Sequence, residues 1–153
     1  MASFVPLLLL FLCLQAAVLE AKILKPCDVA SAMIQLGQKK TKAASWVCLA
    51  KFASGFNTQA LNGPHSDGSY DFGIFQINDK YCKAGSKQSC GVSCTDLVKD
   101  DPIPSAKCAL KIFDKEGFGH WSSWKNNCQN IDTSRFITKC LLRSITRDGR
   151  GSG

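Results

Sequence analysis

The sequence has little histidine, no N-glycosylation triplet and only one notable apolar run. Its two histidines, His65 and His120, stand far apart, so we do not expect a zinc site built from histidine and cysteine pairs. No Asn-x-Ser/Thr triplet occurs, so we expect no N-linked glycan. Beyond the N-terminal run, no apolar stretch approaches the roughly 18 residues that a membrane-spanning helix needs. We therefore predict no transmembrane helix.

The N-terminal run is typical of a secretory signal. No charged side chain appears before Glu20. Val5 to Leu14 form an apolar run of about ten residues, which suits the core of a signal peptide and is too short to span a bilayer. We place cleavage after Ala21 and predict that residues 1–21 are a signal peptide and that the mature protein is secreted and extracellular. An amphipathic or buried helix is the alternative.

Cysteine, in contrast, is plentiful. The chain has nine cysteines, and Cys13 lies inside the predicted signal peptide. The even number that remains in a small secreted domain predicts four disulfides, which the count alone leaves open to 105 pairings. These eight residues are Cys27, Cys48, Cys82, Cys90, Cys94, Cys108, Cys128 and Cys140.

The chain is basic, with 19 Lys and Arg against 12 Asp and Glu, a formal net charge of +7. Removal of Glu20 with the signal would raise this charge by one unit. A basic protein favours an anionic partner, here a bacterial surface, an acidic polysaccharide or a membrane. The charges are scattered, without a basic stripe interleaved with aromatics, so we expect no nucleic-acid partner. Solubility alone is the alternative explanation.

The pattern along the chain predicts one α+β domain over residues 22–142, followed by a flexible tail at 143–153. Helical spacing appears at 27–37 and again around Trp46, where Phe52 is expected on the buried side. A stretch rich in Gly, Asn, Ser and Asp then leads into β-forming residues, which predicts a small hairpin region.

The second half of the domain is predicted to be a disulfide-held loop at 82–101, a third helix and a short last helix. Pro104 stands near the start of the third helix, a position that proline favours. The last helix is expected over 134–142. No internal repeat is visible in the chain.

Several motifs then occur in a recognisable order. SWVCLAKFASGFNTQA is followed by SDGSYDFGIFQIN, by a C-x7-C-x3-C-x13-C run and by HWSSWKNNCQ. Together they resemble the chicken-type (c-type) lysozyme family over about residues 25–142, and the phrases INDKYC and LVKDD look more like its insect members than its vertebrate ones. The resemblance implies a lysozyme-like fold with a helical lobe, a small antiparallel β-hairpin lobe and a cleft between them that holds a polysaccharide.

The resemblance also implies a disulfide pairing and the absence of a metal site. The implied pairs are Cys27–Cys140, Cys48–Cys128, Cys82–Cys94 and Cys90–Cys108. Some members of the family bind calcium before the third helix, but here Ser105 and Ala106 stand where paired acids would complete the cage, and a hard cation needs six to eight oxygen ligands. We therefore expect no metal and no cofactor, and a monomer.

Catalysis in the family needs a carboxylic acid and a carboxylate, and this sequence departs from that pattern. Asp71 matches the nucleophile or charge-stabilising position, and Trp121 matches the tryptophan beside the acid. The acid itself stands in a K-F-E-S context in the family, whereas this sequence reads Lys51-Phe52-Ala53-Ser54. On this basis we predict that the chain is not an enzyme, because Ala53 replaces the proton donor.

The remaining site residues are predicted from the same resemblance, because their polar groups suit sugar hydroxyls and acetamides and their rings suit sugar faces. They are Asn62, Asp67, Ser69, Gln76, Asn78, Tyr81 and Trp121. The overall prediction is a secreted, inactive lysozyme-like protein that binds bacterial peptidoglycan in innate antibacterial defence. The alternatives are a weak muramidase with a substitute acid, a non-enzymatic cationic antimicrobial that acts on anionic membranes, and a subunit that modifies another enzyme.

Overall fold

The computed structural model describes residues 21–140. The predicted tail at 143–153 and all but the last residue of the predicted signal peptide lie outside the described residues, so the division of the chain into signal, domain and tail stays a prediction. Between residues 21 and 140, no helix is both long and apolar enough to cross a membrane.

The first two helices form the centre of the molecule. Helix α1 spans Pro26–Gln35 and α2 spans Lys40–Ser54. Proline suits the first turn of α1, because the backbone N–H that it lacks would have no partner there. Trp46 of α2 is fully buried, with its ring 5.5 Å from that of Trp121. These helices confirm the predicted pattern, but the burial of Phe52 was wrong: its side chain is 40% exposed and packs edge-on against Phe136 at the surface.

The hairpin region is a three-stranded antiparallel sheet in the order β1-β2-β3. Its strands are β1 (Leu61–Asn62), β2 (Asp71–Phe72) and β3 (Ile77–Asn78). Asn62 pairs with Asp71, and Asp71 pairs with Asn78. Paired residues of neighbouring strands point to the same face of a sheet, so three polar side chains lie side by side.

The rest of the domain is helical and looped. Helix α3 spans Ile103–Glu116 and α4 spans Ser122–Asn127. Single 3₁₀ turns occur at Asp79–Tyr81, Asp96–Val98, Phe118–His120 and Thr133–Phe136. The last of these replaces the longer helix predicted over 134–142: the backbone of Ile137 leaves the helical region, with φ −125°, and ends the turn.

Four disulfides staple the domain, and they confirm the pairing that the resemblance implied. The bonds are Cys27–Cys140, Cys48–Cys128, Cys82–Cys94 and Cys90–Cys108. The first joins residues 113 positions apart, so it ties α1 to the end of the described chain. The α+β class, with a helical lobe, a small sheet and four disulfides, is thereby confirmed.

Candidate functional site

The three paired polar residues of the sheet, Asn62, Asp71 and Asn78, form what we call the polar strip. The amide of Asn78 donates from Nδ2 to Asp71 Oδ1 at 3.0 Å and to Ser69 Oγ at 3.1 Å. The strip and its contact with Ser69 therefore bring together four of the site residues predicted from the sequence. The strip presents a carboxylate flanked by two amides, which is a set of groups that can both donate and accept hydrogen bonds.

Asp71 has a second partner that the sequence did not predict for the site. His65 Nε2 lies 2.9 Å from Asp71 Oδ2, so each carboxylate oxygen has a different neighbour. The Asp71 side chain is 27% exposed and that of His65 is 42% exposed, so both are accessible to solvent. The signal available in the sequence was the short loop between β1 and β2, which brings residue 65 back towards residue 71.

The tip of that loop is a closed turn. The backbone N–H of His65 donates to the carbonyl of Ser69 at 2.8 Å, and that of Gly68 donates to the carbonyl of His65 at 2.8 Å. Asp67 accepts a hydrogen bond from the backbone of Ser69 at 2.9 Å. Hydrogen bonds from Ser69 hold the pKa of Asp67 below its usual range. Asp67 is thus occupied in shaping the turn that carries His65, and a sugar contact of this residue remains a prediction.

Gln76 lies in the turn between β2 and β3 and is bound to its surroundings at both ends of its amide. Its Nε2 donates to the carbonyls of Gly73 at 2.9 Å and Ala60 at 3.3 Å. Its Oε1 accepts from Asn62 Nδ2. Gln76 therefore fixes the end of the polar strip, because Asn62 is held against it.

The helical lobe meets the sheet at the same turn. Ala53 is the penultimate residue of α2 and packs, partly buried, against the core. The next residue, Ser54, donates from Oγ to the carbonyl of Ile74 at 2.7 Å. Trp121 is 5% exposed and donates from Nε1 to the carbonyl of Phe75 at 2.9 Å. Position 53 and Trp121 thus flank the turn that joins β2 to β3, and residue 53 contributes a methyl group with no proton to donate.

Tyr81 closes a contact between the two lobes rather than standing free as an aromatic platform. It is 4% exposed, and its hydroxyl donates to Glu116 Oε1 at 2.8 Å. His120 Nδ1 lies 2.6 Å from the other carboxylate oxygen of Glu116. We call Tyr81, Glu116 and His120 the interlobe bridge, because Tyr81 follows β3 and Glu116 ends α3. No local sequence pattern predicts this bridge, since it links residues 35 positions apart.

The interlobe bridge shifts the acidity of its members in opposite directions. Burial, and then the contact with Glu116, raise the pKa of the Tyr81 hydroxyl. The hydrogen bonds from Tyr81 and then from His120 hold the pKa of Glu116 below its ordinary value of 4.5. Glu116 is therefore stabilised as a carboxylate that accepts hydrogen bonds, which is the opposite of what a proton donor needs.

No metal-binding cluster is found in the part of the chain that the structure describes. There, no group of three or more His, Cys, Asp or Glu side chains comes close enough to hold an ion. The expected absence of a cofactor remains a prediction about the protein in solution.

A partly exposed carboxylate on a three-stranded sheet, together with a helical lobe stapled by disulfides, is typical of a lysozyme-like domain. The profile of the C-type lysozyme/alpha-lactalbumin family matches residues 22–140, and the chain belongs to this family. Among similar proteins, the tracheal isozyme of lysozyme C from Bos taurus is 40% identical, over 88% of this chain and 97% of its own length. Lysozyme C-1 from Anas platyrhynchos is 39% identical (89% and 98%) and lysozyme C-1 from Mus musculus is 38% identical (88% and 97%).

These relatives correct one prediction. They carry the name of an enzyme and match nearly the whole chain, which contradicts our prediction that the chain is not an enzyme. That prediction is not retained. Ala53 remains a fact of the sequence, and the role of that position stays a prediction. The resemblance to insect members of the family stays a prediction, since these three relatives come from vertebrates.

Proposed function

We propose that this protein is secreted and binds the glycan strands of bacterial peptidoglycan in the cleft beside the polar strip, as part of antibacterial defence. The observation that carries the proposal is the alignment of Asn62, Asp71 and Asn78 on one face of the sheet. Membership of the lysozyme family supports a role in binding or hydrolysing such a glycan. Four disulfides support an oxidising, extracellular setting.

The chemistry of the strip fits a polysaccharide with hydroxyl and acetamide groups. Carboxylate oxygens accept hydrogen bonds from sugar hydroxyls, and amide groups pair with both partners of an acetamide. The net charge of +7 adds a long-range attraction towards the anionic bacterial surface, and salt weakens that attraction. Local hydrogen bonds thus give specificity for the sugar, while the net positive charge attracts the protein to the bacterial surface.

A second candidate function is hydrolysis of the bound glycan, which the names of the relatives and the presence of Asp71 favour. Cleavage of a glycosidic bond benefits from a proton delivered to the leaving oxygen, and a positioned acid contributes typically about 10²–10⁴-fold. Because alanine has no such proton, hydrolysis here requires a donor other than residue 53. Weak muramidase activity is therefore the form in which we expect this function.

A sedimentation assay tests binding. Mature protein is mixed with insoluble peptidoglycan at physiological salt, with and without soluble N-acetylglucosamine oligomers. We expect saturable binding that the oligomers displace. Loss of the Asn62 amide in Asn62→Ala should weaken the displaceable binding about fivefold, because a hydrogen bond contributes about 1 kcal/mol. The matched control is Asn126→Ala at an exposed position of α4, which should bind like the unmodified protein.

The same tubes report hydrolysis through the release of reducing sugar. Release that disappears in Asp71→Asn assigns the reaction to the cleft. Binding that ignores the oligomers and vanishes with added salt would contradict the proposal, because charge alone would then explain it. Leakage from anionic vesicles under the same conditions would then favour the cationic antimicrobial alternative.

A further inference from the structure

His65 is placed against the carboxylate at the centre of the candidate site. Its Nε2 lies 2.9 Å from Asp71 Oδ2, while Asn78 Nδ2 lies 3.0 Å from Asp71 Oδ1. A carboxylate can only accept hydrogen bonds, so the Nε2 atom of His65 carries the hydrogen in this contact. Asp71 therefore has one donor on each oxygen, and the two donors come from separate elements, the β1–β2 loop and β3.

The β1–β2 loop holds the backbone of His65 close to Asp71. The turn at residues 65–69 is closed by two backbone hydrogen bonds, each 2.8 Å long, between His65 and Ser69 and between Gly68 and His65. At its base, Gly63 has φ +135°, and a Cβ there would meet the Tyr70 ring at 2.7 Å. Glycine is thus required for the loop to pack this closely. The backbone position of His65 therefore follows from the loop as a whole.

Donors on both oxygens fix the plane of a carboxylate. With only Asn78 in place, the Asp71 carboxylate could rotate about its Cβ–Cγ bond and present either oxygen. With His65 on the second oxygen, rotation is restricted and the remaining lone pairs keep one direction. A functional group held by its neighbours before the ligand arrives loses less freedom on binding.

We propose that His65 is a positioning residue, which holds the Asp71 carboxylate in the orientation that accepts hydrogen bonds from the bound sugar. This inference rests on the proposed function of the cleft. It adds to that function a residue outside the predicted site, which acts through Asp71 and does not itself contact the sugar.

A double-mutant cycle tests the proposal, with an N-acetylglucosamine oligomer as the probe and calorimetry as the readout. His65→Ala should lower the affinity about tenfold, because the Asp71 carboxylate loses a charge-assisted hydrogen bond and part of the stabilisation from this bond passes to the sugar contact. In the Asp71→Ala background, His65→Ala should have no further effect. Additive losses would overturn the proposal, since His65 would then contact the sugar directly.

A conservative variant separates positioning from a structural role. His65→Gln keeps an N–H donor at similar reach, so it should restore most of the affinity that His65→Ala loses. A glutamine variant that binds the oligomer as weakly as His65→Ala overturns the positioning role. Equal thermal unfolding temperatures of the variants exclude misfolding as the cause, and an affinity loss in His65→Ala that follows a lower unfolding temperature overturns the positioning role.

The outcomes distinguish this inference from the proposed function. If the unmodified protein binds the oligomer and His65→Ala binds it equally well, the positioning role is wrong and the proposed function stands. If the unmodified protein binds neither oligomer nor peptidoglycan, the proposed function is wrong and the inference falls with it.

Discussion

Substituting Ala53 with glutamate would place a carboxylic acid at the position where the resemblance to the family implies a proton donor. Three features hold the surroundings of this position in place. Residue 53 lies in the last turn of α2, its neighbour Ser54 is anchored on the turn after β2, and Trp121 is bound to the same turn. A glutamate there would extend from the last turn of α2. Its partly buried surroundings should raise its pKa and keep it protonated near neutral pH.

The expected gain in hydrolysis rate can be estimated from the effect of a proton donor. The expected loss of stability can be estimated from the position of residue 53 in the helix. A positioned acid accelerates proton transfer about 10²–10⁴-fold, which lowers the barrier by about 3–5 kcal/mol. Glutamate has a slightly lower helix propensity than alanine, by a few tenths of a kcal/mol. A protonated glutamic acid carries no charge, so it avoids the cost of about 0.3–1 kcal/mol that an ionised carboxylate has at the C-terminal end of a helix. The net prediction is a large gain in hydrolysis and a loss of stability of a few tenths of a kcal/mol.

The assay is the release of reducing sugar from peptidoglycan by Ala53→Glu, with Ala53→Gln as the matched control. Glutamine has nearly the same shape and helix propensity but no acidic proton, so it should show no gain. If the glutamate variant folds, binds the glycan and hydrolyses it no faster than the glutamine variant, then proton donation from position 53 does not limit the reaction. The expected role of position 53 as a place for the proton donor would then be refuted.

Three further predictions concern stability. Gly73→Ala should lower the free energy of unfolding by about 2–5 kcal/mol, because Gly73 has φ +73° and a Cβ there would lie 1.9 Å from the carbonyl oxygen of Leu97; urea unfolding measures the loss. Since the folded-state pKa of Glu116 is lowered, its contribution to stability is fully present above pH 4.5 and declines as the pH falls through the folded pKa. Thermal unfolding of Glu116→Gln should therefore show a smaller loss on acidification than the unmodified protein. Replacing Cys27 and Cys140 by serine opens a loop of 113 residues and should cost about 4–5 kcal/mol by the chain-entropy model.

Each of these predictions has its own control. Gly37 also has a positive φ, +88°, but a Cβ there would have no heavy atom within 4 Å, so Gly37→Ala should cost only about 1 kcal/mol. Equal losses in the two glycine variants would mean that the contact with Leu97 relaxes freely. If acidification lowers the unfolding temperature of Glu116→Gln as much as that of the unmodified protein, Glu116 does not cause the loss of stability at low pH. An unfolding temperature unchanged by the loss of Cys27–Cys140 would contradict the entropic argument.

Local chemistry in the sequence determined the elements and part of the site. Pro26 and Gly37 bracket α1, and the Gly- and Asn-rich stretch before Asp71 predicts the hairpin; both results depend on backbone preferences that act within a few residues. The eight cysteines of the predicted mature chain indicated four disulfides, because their number can be read from the sequence without knowing any distance between them. Asp71 could be singled out because its motif is contiguous.

Contacts between residues that are far apart along the chain depend on the tertiary structure. Cysteine pairing among 105 possibilities depends on which side chains the packed helices bring together, and the expected pairing came from the family resemblance and not from the residues themselves. Phe52 is exposed because the face of α2 on which it lies meets Phe136 and solvent rather than the core. Tyr81 and Glu116 join across the lobes, and His65 reaches Asp71, through the course of loops whose conformation is set by many weak contacts at once. A hydrogen bond depends on distances of about 3 Å, and the sequence alone does not specify such distances between residues that are far apart along the chain.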